Sequence, residues 1–252
     1  MRVLILDYSS NTAGSYTKLT ARLAQETLED YDVIVKSYNI KSLNLKSCLN
    51  CDYCDANYGS CVHNDAYKEV LDDINLANLI INIVPMYNAQ PPSEFKTLVD
   101  RAQMVYKTKY KHQASIIDRD ACREELRVIV TGREHNKSDF DLMNRCMNQF
   151  NRNYNTKLVR TIEINNTDDD YDYDRVRERF KLALYELFNE DVEVFSKEEY
   201  SNLMDLLSRF ANTKCSKDSD GSLCECCKLN ETYKDGTLCE YLCNISNSMN
   251  MR

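Results

Sequence analysis

No stretch of the 252 residues approaches the ~20 consecutive apolar residues that cross a bilayer, so no membrane span is expected. Basic residues are outnumbered: 32 Lys and Arg against 40 Asp and Glu leave a formal net charge of -8. Nucleic acid rewards a basic face, which this balance does not offer. The acidity also suits docking to basic partners, although it is the common condition of a soluble chain. The opening Met-Arg-Val-Leu-Ile-Leu meets Asp7 before a run of signal-peptide length has built up, and no cleavage site follows. A cytoplasmic location is therefore the expectation, and thiols stay reduced there. Glycine is scarce, at 5 residues, and neither the Walker A phosphate loop nor the three-glycine dinucleotide fingerprint occurs. Those two absences favour a mononucleotide phosphate over ATP or NAD. Internal repeats and a separate nicotinamide-binding domain are also missing.

What is present is a chain able to bury a core, with 43% hydrophobic residues, and an unusual stock of 12 cysteines. In a reducing compartment these point to metal or redox chemistry more than to disulfides. Four lie between residues 48 and 61, six lie between 215 and 243, and Cys122 and Cys146 stand alone. Cys146 falls on the apolar face of a helical pattern and reads as a core residue.

Hydrophobic spacing sets out the fold class. Val3 to Leu6 is a short buried strand running into a polar loop, and Leu19, Leu23, Ala24 and Leu28 recur at helical spacing. A second strand covers Asp32 to Tyr38. Asn64 or Asp65 is placed to cap a helix carrying Ala66, Val70 and Ile74. Leu79 to Val84, almost continuously apolar, suits a strand covered on both faces. Pro91 and Pro92 lead into a helix from Ser93 to about Val105. Leu126 to Val130 gives a fourth strand, Met143, Cys146, Met147 and Phe150 a helix, and Leu158 to Ile164 a fifth strand. This alternation predicts an α/β fold, a doubly wound parallel five-stranded sheet over residues 1–165. Residues 106–124 interrupt the rhythm as a mixed-charge insertion. Residues 166–212 read as a helical extension, with Val176, Phe180, Leu184, Leu187 and Phe188 on one face and Leu203, Leu206, Leu207 and Phe210 on a second helix. Asp168, Asp169 and Asp170 before it suit an acidic first turn more than a metal site. Residues 213–252 form a polar, cysteine-rich tail.

Between the first strand and the first helix stands Tyr8-Ser9-Ser10-Asn11-Thr12-Ala13-Gly14-Ser15-Tyr16-Thr17. Ligands of open α/β sheets bind beyond the carboxyl ends of the strands, where a helix N-terminus offers free N–H groups to a phosphate. The hydroxyls of Ser9, Ser10, Thr12, Ser15 and Thr17 can add hydrogen bonds, and Gly14 lets the backbone come close. A hydroxyl-rich loop that only caps its helix is the alternative.

This loop resembles the phosphate loop of flavodoxins and of NAD(P)H-dependent FMN reductases. Pro85-Met86-Tyr87-Asn88-Ala89-Gln90-Pro91-Pro92-Ser93 through Lys96, Asp100 and Arg101 is similar to the flavin segment of that superfamily. The resemblance covers roughly residues 1–165 and implies a flavodoxin-like fold that binds FMN. It implies contacts from Ser9, Ser10, Asn11, Gly14, Ser15, Tyr16 and Thr17 to the phosphate. Pro85, Met86, Tyr87 and Asn88 would border the isoalloxazine ring, and Thr131 and Gly132 would form a third flavin loop. That loop is poorer in glycine than the family's, with Arg133, Glu134 and His135 following. His135 has two readings, a ring or substrate contact and a surface histidine, and the second is favoured. A dimer or larger homo-oligomer is implied as well.

The most specific chemical signal is Cys48-x2-Cys51-x2-Cys54-x6-Cys61. Three thiolates within seven residues and a fourth nearby can wrap one small inorganic core. Structural zinc more often pairs two separated Cys-x2-Cys knuckles. Free or redox-active thiols are the plain alternative. The pattern is similar to the compact motif of the iron-sulfur flavoproteins of anaerobes, which implies a [4Fe-4S] cluster on these four cysteines. The loop follows the second strand, at the same sheet edge as the phosphate loop. Three functions follow: an electron-transfer flavoprotein with FMN and a cluster, an NAD(P)H-dependent FMN or quinone reductase without one, and a non-enzymatic metal-binding or redox-sensing module. Ferredoxin or NAD(P)H would be the redox partner. The six C-terminal cysteines match no known pattern, and a second metal or cluster there is left open.

Overall fold

The computed structural model describes residues 1–10, 14–111, 116–118, 121 and 123–188. Asn11, Thr12, Cys122, the helix expected around Leu203 to Phe210 and the six C-terminal cysteines lie outside the described residues.

Five parallel strands, β1 (Arg2–Asp7), β2 (Ile34–Asn39), β3 (Leu79–Pro85), β4 (Arg123–Val130) and β5 (Thr156–Ile164), form one sheet in the order β2-β1-β3-β4-β5. Helices α1 (Tyr16–Leu28), α2 (Tyr53–Ala56), α3 (Tyr67–Leu76), α4 (Ser93–Arg101), α5 (Gln103–Lys111), α6 (Lys137–Tyr154) and α7 (Tyr173–Phe188), with a 3₁₀ turn at Lys41–Leu43, make up the remaining regular structure among the described residues. Every residue of β3 is buried, as a central parallel strand requires.

Alternation along the strands builds a core on each face of the sheet. Leu4, Leu6, Ile80, Val84 and Ile129 point to one side, where α3, α4, α5 and α6 supply Tyr67, Val70, Ile74, Phe95, Leu98, Met104, Met143, Phe150 and Tyr154. Val3, Ile5, Ile81, Ile83, Val128 and Ile162 point to the other, against Leu23, Ala24 and Leu28 of α1 and Val176, Phe180 and Leu184 of α7. The doubly wound sheet expected from the sequence is thus present. The helix carrying Val176, Phe180 and Leu184 shares the covering of the second face with α1.

Several boundaries move, each for a physical reason. β4 begins at Arg123, not at Leu126, because Arg123, Glu125 and Arg127 are buried with partners. Arg127 and Glu125 pair at 3.0 Å, both fully buried. The single helix expected from Ser93 to Val105 is interrupted at Ala102, and α5 carries helix into the stretch read as an insertion. Asp65 does not occupy the cap position of α3, which is Ala66; its carboxylate instead takes the Tyr67 N–H and the Arg101 guanidinium. Asp168, Asp169 and Asp170 precede α7 and are not its first turn, and the Asp172 side chain accepts from the Arg175 N–H there. Cys146 is only half-buried, so it borders the core without joining it.

Candidate functional site

Parallel strands all present their carboxyl ends at one edge, and the loops that follow β1, β3 and β4 meet there. Together they border an open cleft of about 300 Å³. Its lining includes Ser10, Gly14, Ser15, Tyr16 and Thr17 from the first loop, Pro85, Met86 and Tyr87 from the second, and Gly132 from the third. Those nine positions, singled out in sequence across 120 residues, are brought to one place.

The first loop owes its shape to a buried carboxylate. Asp7 accepts from the Ser9 backbone N–H at 2.7 Å, from the Ser9 hydroxyl at 2.9 Å and from Asn39 Nδ2 at 2.9 Å. Ser9 is therefore a buried residue whose hydroxyl is engaged within the protein, and it is not among the residues that line the cleft. Gly14 has φ +84 with nothing near the position a Cβ would take, so glycine is needed there for its backbone conformation and not for close approach. Ser15 occupies the N-cap of α1, yet its side chain makes no capping bond, and the first turn carries no acidic residue. The N-terminus of this 13-residue helix is thereby left able to receive an anion.

The second loop is a tight reversal. Tyr87 and Gln90 exchange backbone hydrogen bonds at 2.9 and 3.0 Å, and Asn88 and Ala89 between them have φ +50 and +59. Two consecutive positive φ values define a type I′ turn. Asn88 sits at its tip and does not line the cleft, whereas Tyr87 is half-exposed over it.

The third loop is tied down by residues that sequence reasoning missed. Asn165 Oδ1 accepts from the His135 N–H and from the Thr131 hydroxyl, and Asn165 Nδ2 donates to the His135 carbonyl. The Thr131 hydroxyl is thus occupied within the protein. His135 pairs with Asp139 at 3.0 Å and stays out of the cleft lining. Thr167 and Asp168, from the segment after β5, join the lining instead. No local motif marks them; only the pairing of that segment with the third loop brings them in.

The four cysteines Cys48, Cys51, Cys54 and Cys61 border one hollow of about 30 Å³, shared with His63, Arg101, Met104 and Lys107. Asn50 and Asp52 adopt positive φ, a conformation these residue types tolerate, and so curl the loop on either side of Cys51. The Lys107 ammonium pairs with Asp52 at the rim. Burial raises the Cys54 thiol above its ordinary value, and the nearby Lys107 charge opposes that rise. The donor set matches an iron-sulfur cluster in kind and number. Among the described residues, however, no three His, Cys, Asp or Glu side chains stand close enough together to hold a metal ion.

The strand order 2-1-3-4-5, with helices on both faces and a cleft at the carboxyl edge, defines a flavodoxin-like fold. Residues 1–117 match the family of NADPH-dependent FMN reductases, and over them the resemblance read from the sequence is shown. An iron-sulfur flavoprotein of Methanocaldococcus jannaschii is 27% identical over 105 residues, which are 42% of this chain and 52% of that protein. The chain thus spans about half the length of this curated relative. Among solved structures, the NAD(P)H:quinone oxidoreductase of Methanothermobacter marburgensis superposes with a TM-score of 0.57 at 17% identity, covering 74% of this chain and 96% of that one. An FMN-dependent NADH-azoreductase of Bacillus anthracis in complex with FMN gives 0.54 at 13% identity, covering 74% and 97%. At such identities the superpositions speak for the fold alone. Among the described residues, no helix is long and apolar enough to cross a membrane.

Proposed function

We propose that the chain is an FMN-dependent oxidoreductase that carries electrons between a donor such as NAD(P)H or ferredoxin and an acceptor, with Cys48, Cys51, Cys54 and Cys61 holding a [4Fe-4S] cluster. The observation that supports it is the open N-terminus of α1, where Ser15 leaves the first-turn N–H groups uncapped at the edge of the three-loop cleft. FMN, when bound, supplies a ring able to take up two electrons and give them up one at a time. The chain's part is to bind and orient. The first-turn N–H groups with Ser10, Ser15 and Thr17 would hold the phosphate, and Pro85, Met86, Tyr87 and Gly132 would border the ring. The half-exposed Tyr87 leaves one side of the cleft accessible to a redox partner.

A second reading, a flavin or quinone reductase with thiols in place of the cluster, is favoured by the spacing of the four cysteines, since loading would have to draw them together. One anaerobic preparation separates the two. Absorption spectra with counts of FMN, iron, zinc and sulfide should give one flavin and about four irons and sulfides per chain on the first reading. Flavin without iron or sulfide, bleached rapidly by NADH or NADPH, selects the second. Colourless protein that does not quench FMN fluorescence overturns both. With a cluster present, Cys51→Ser should remove iron and leave FMN bound.

A further inference from the structure

Asp7 ends β1 with its carboxylate buried, the residue only 6% exposed, and among the described residues neutral donors meet its charge. Two of these come from Ser9 in the same loop, the backbone N–H to one oxygen and the hydroxyl to the other. The third comes from the neighbouring strand. Asn39, the last residue of β2, is the register partner of Asp7 and donates Nδ2 to its carboxylate at 2.9 Å. The same nitrogen reaches the Ser9 hydroxyl at 3.1 Å and the Ser9 carbonyl at 3.3 Å. On its other side, Asn39 Oδ1 accepts from the Ser42 N–H at 2.9 Å and from the Ser42 hydroxyl at 2.8 Å, in the turn Lys41–Leu43.

The amide can lie only one way. An ionised carboxylate only accepts and a backbone N–H only donates, so the nitrogen must face Asp7 and the oxygen must face Ser42. The clasp leaves Ser9 fully buried, and the next residue, Ser10, is the first of the loop to line the cleft. Tyr8, on the other side of Ser9, is held by its N–H on the Ile83 carbonyl. The course of the chain into the cleft is therefore set at Ser9. Among the described residues, the side chain that holds Ser9 from outside the loop is Asn39.

We infer that Asn39 is a positioning residue of the phosphate loop: its amide fixes Asp7 and Ser9 and through them sets Ser10 and the start of the loop against the phosphate of the ligand. This rests on the reading above that an FMN phosphate sits at the start of α1. Asn39 itself is not among the residues that line the cleft, so it acts through the loop and not by contact. Pro85, Met86, Tyr87 and Gly132, which would border the ring, belong to the other two loops. A loosened clasp should thus be felt at the phosphate and hardly at the ring.

The test uses the full chain and parallel titrations with FMN and with riboflavin, which lacks the phosphate, at pH 8. Asn39→Ala should weaken FMN about tenfold, the scale of a lost hydrogen bond to a charged group, and riboflavin by about twofold at most. Asn39→Asp sets a second carboxylate beside the first, and like charges so close disfavour each other, so FMN should weaken at least as much. The exchanged double variant, Asp7→Asn with Asn39→Asp, again pairs one amide with one carboxylate and should recover most of the FMN affinity. It carries the net charge of the wild type, so its recovery reports the clasp. Ser42→Ala, which alters only the far side of the amide, should bind both ligands as the wild type does. Equal losses of FMN and riboflavin in Asn39→Ala overturn the inference, because Asn39 would then support the whole fold. So does wild-type FMN affinity in Asn39→Ala, a double variant that binds FMN no better than Asn39→Asp, or a loss in Ser42→Ala as large as that in Asn39→Ala. Wild-type protein that binds riboflavin as tightly as FMN defeats the phosphate reading itself, a result distinct from all of these.

Discussion

A Cβ placed on Gly132 would lie 2.8 Å from Asp168 Oδ2, so the loop after β4 and the segment after β5 pack against each other with no room to spare. The same pair brings a carboxylate to the cleft, whose lining among the described residues contains no Lys, Arg or His. A negative charge there opposes both a flavin phosphate and the addition of electrons to a ring.

Asp168→Asn should therefore tighten FMN binding by roughly two- to fivefold, within the ~1 kcal/mol of a solvent-screened charge interaction, and more at low salt than at high. The flavin midpoint should become more positive. Fluorescence titrations at two ionic strengths and a redox titration check this. Weaker binding would mean that Asp168 accepts a hydrogen bond from the ligand, and that its charge is not what matters.

Ser15→Ala or Thr17→Ala should weaken FMN by about 1–2 kcal/mol for each hydrogen bond lost to a charged phosphate. Riboflavin, which has no phosphate, should be nearly indifferent to either change. Parallel titrations of the two ligands decide it; equal losses would place the phosphate away from the start of α1.

The periodic parts of this structure were open to sequence reasoning, because burial on both faces of a parallel strand writes itself as an apolar run, as in Leu79–Pro85. The glycine and hydroxyls of the first loop and the close spacing of Cys48, Cys51 and Cys54 are likewise local. What escaped is what depends on partners far away in the chain. β4 was expected from Leu126 because residues 106–124 read as a mixed-charge insertion, whereas Arg123 and Glu125 are buried through partners at Asn75, Asp118, Asn82, Arg127 and Asn151. Asn165 and Asp168 reach the site through loop pairing, which leaves no periodic trace. Ser9 looked like a ligand hydroxyl because nothing in the sequence reveals that Asp7 takes it.

Asp65 gives a pH prediction. Burial would raise its carboxyl, but the bonds from Arg101 and from the Lys46 and Tyr67 N–H groups outweigh it and hold the pKa at about 2, below the ordinary 3.8. The folded carboxyl thus gives up its proton more readily than the unfolded one. Its stabilising contribution is fully present above pH 3.8 and is lost as the pH falls toward 2. The magnitude is about 2 kcal/mol. Urea midpoints should show Asp65→Asn less stable than wild type by about that amount at neutral pH, with the gap closing below pH 3. A gap that persists at pH 2 would mean that packing, not charge, is what the substitution removes.

The buried pair Arg127–Glu125 yields the sharpest stability test. Arg127 sends Nε and Nη2 to Glu125 at 3.2 and 3.0 Å, and its other donors to Asn144, Asn148 and Asn151. Glu125 also receives Asn82 Nδ2 at 2.9 Å and Asn151 Nδ2 at 2.6 Å, and Asn82 in turn accepts from the Tyr8 hydroxyl. The network ties Tyr8, just after β1, to β3, β4 and α6. Removing one partner strands a charge where water cannot reach it, so Arg127→Leu should cost about 3–5 kcal/mol. Replacing both, as Glu125→Leu with Arg127→Leu, leaves no orphaned charge and should recover much of that loss, because two desolvation penalties vanish along with the attraction. Denaturant unfolding of the two singles and the double closes the cycle. A double variant as unstable as the sum of its singles would show that the asparagines around the pair, and not the pair itself, hold this part of the core.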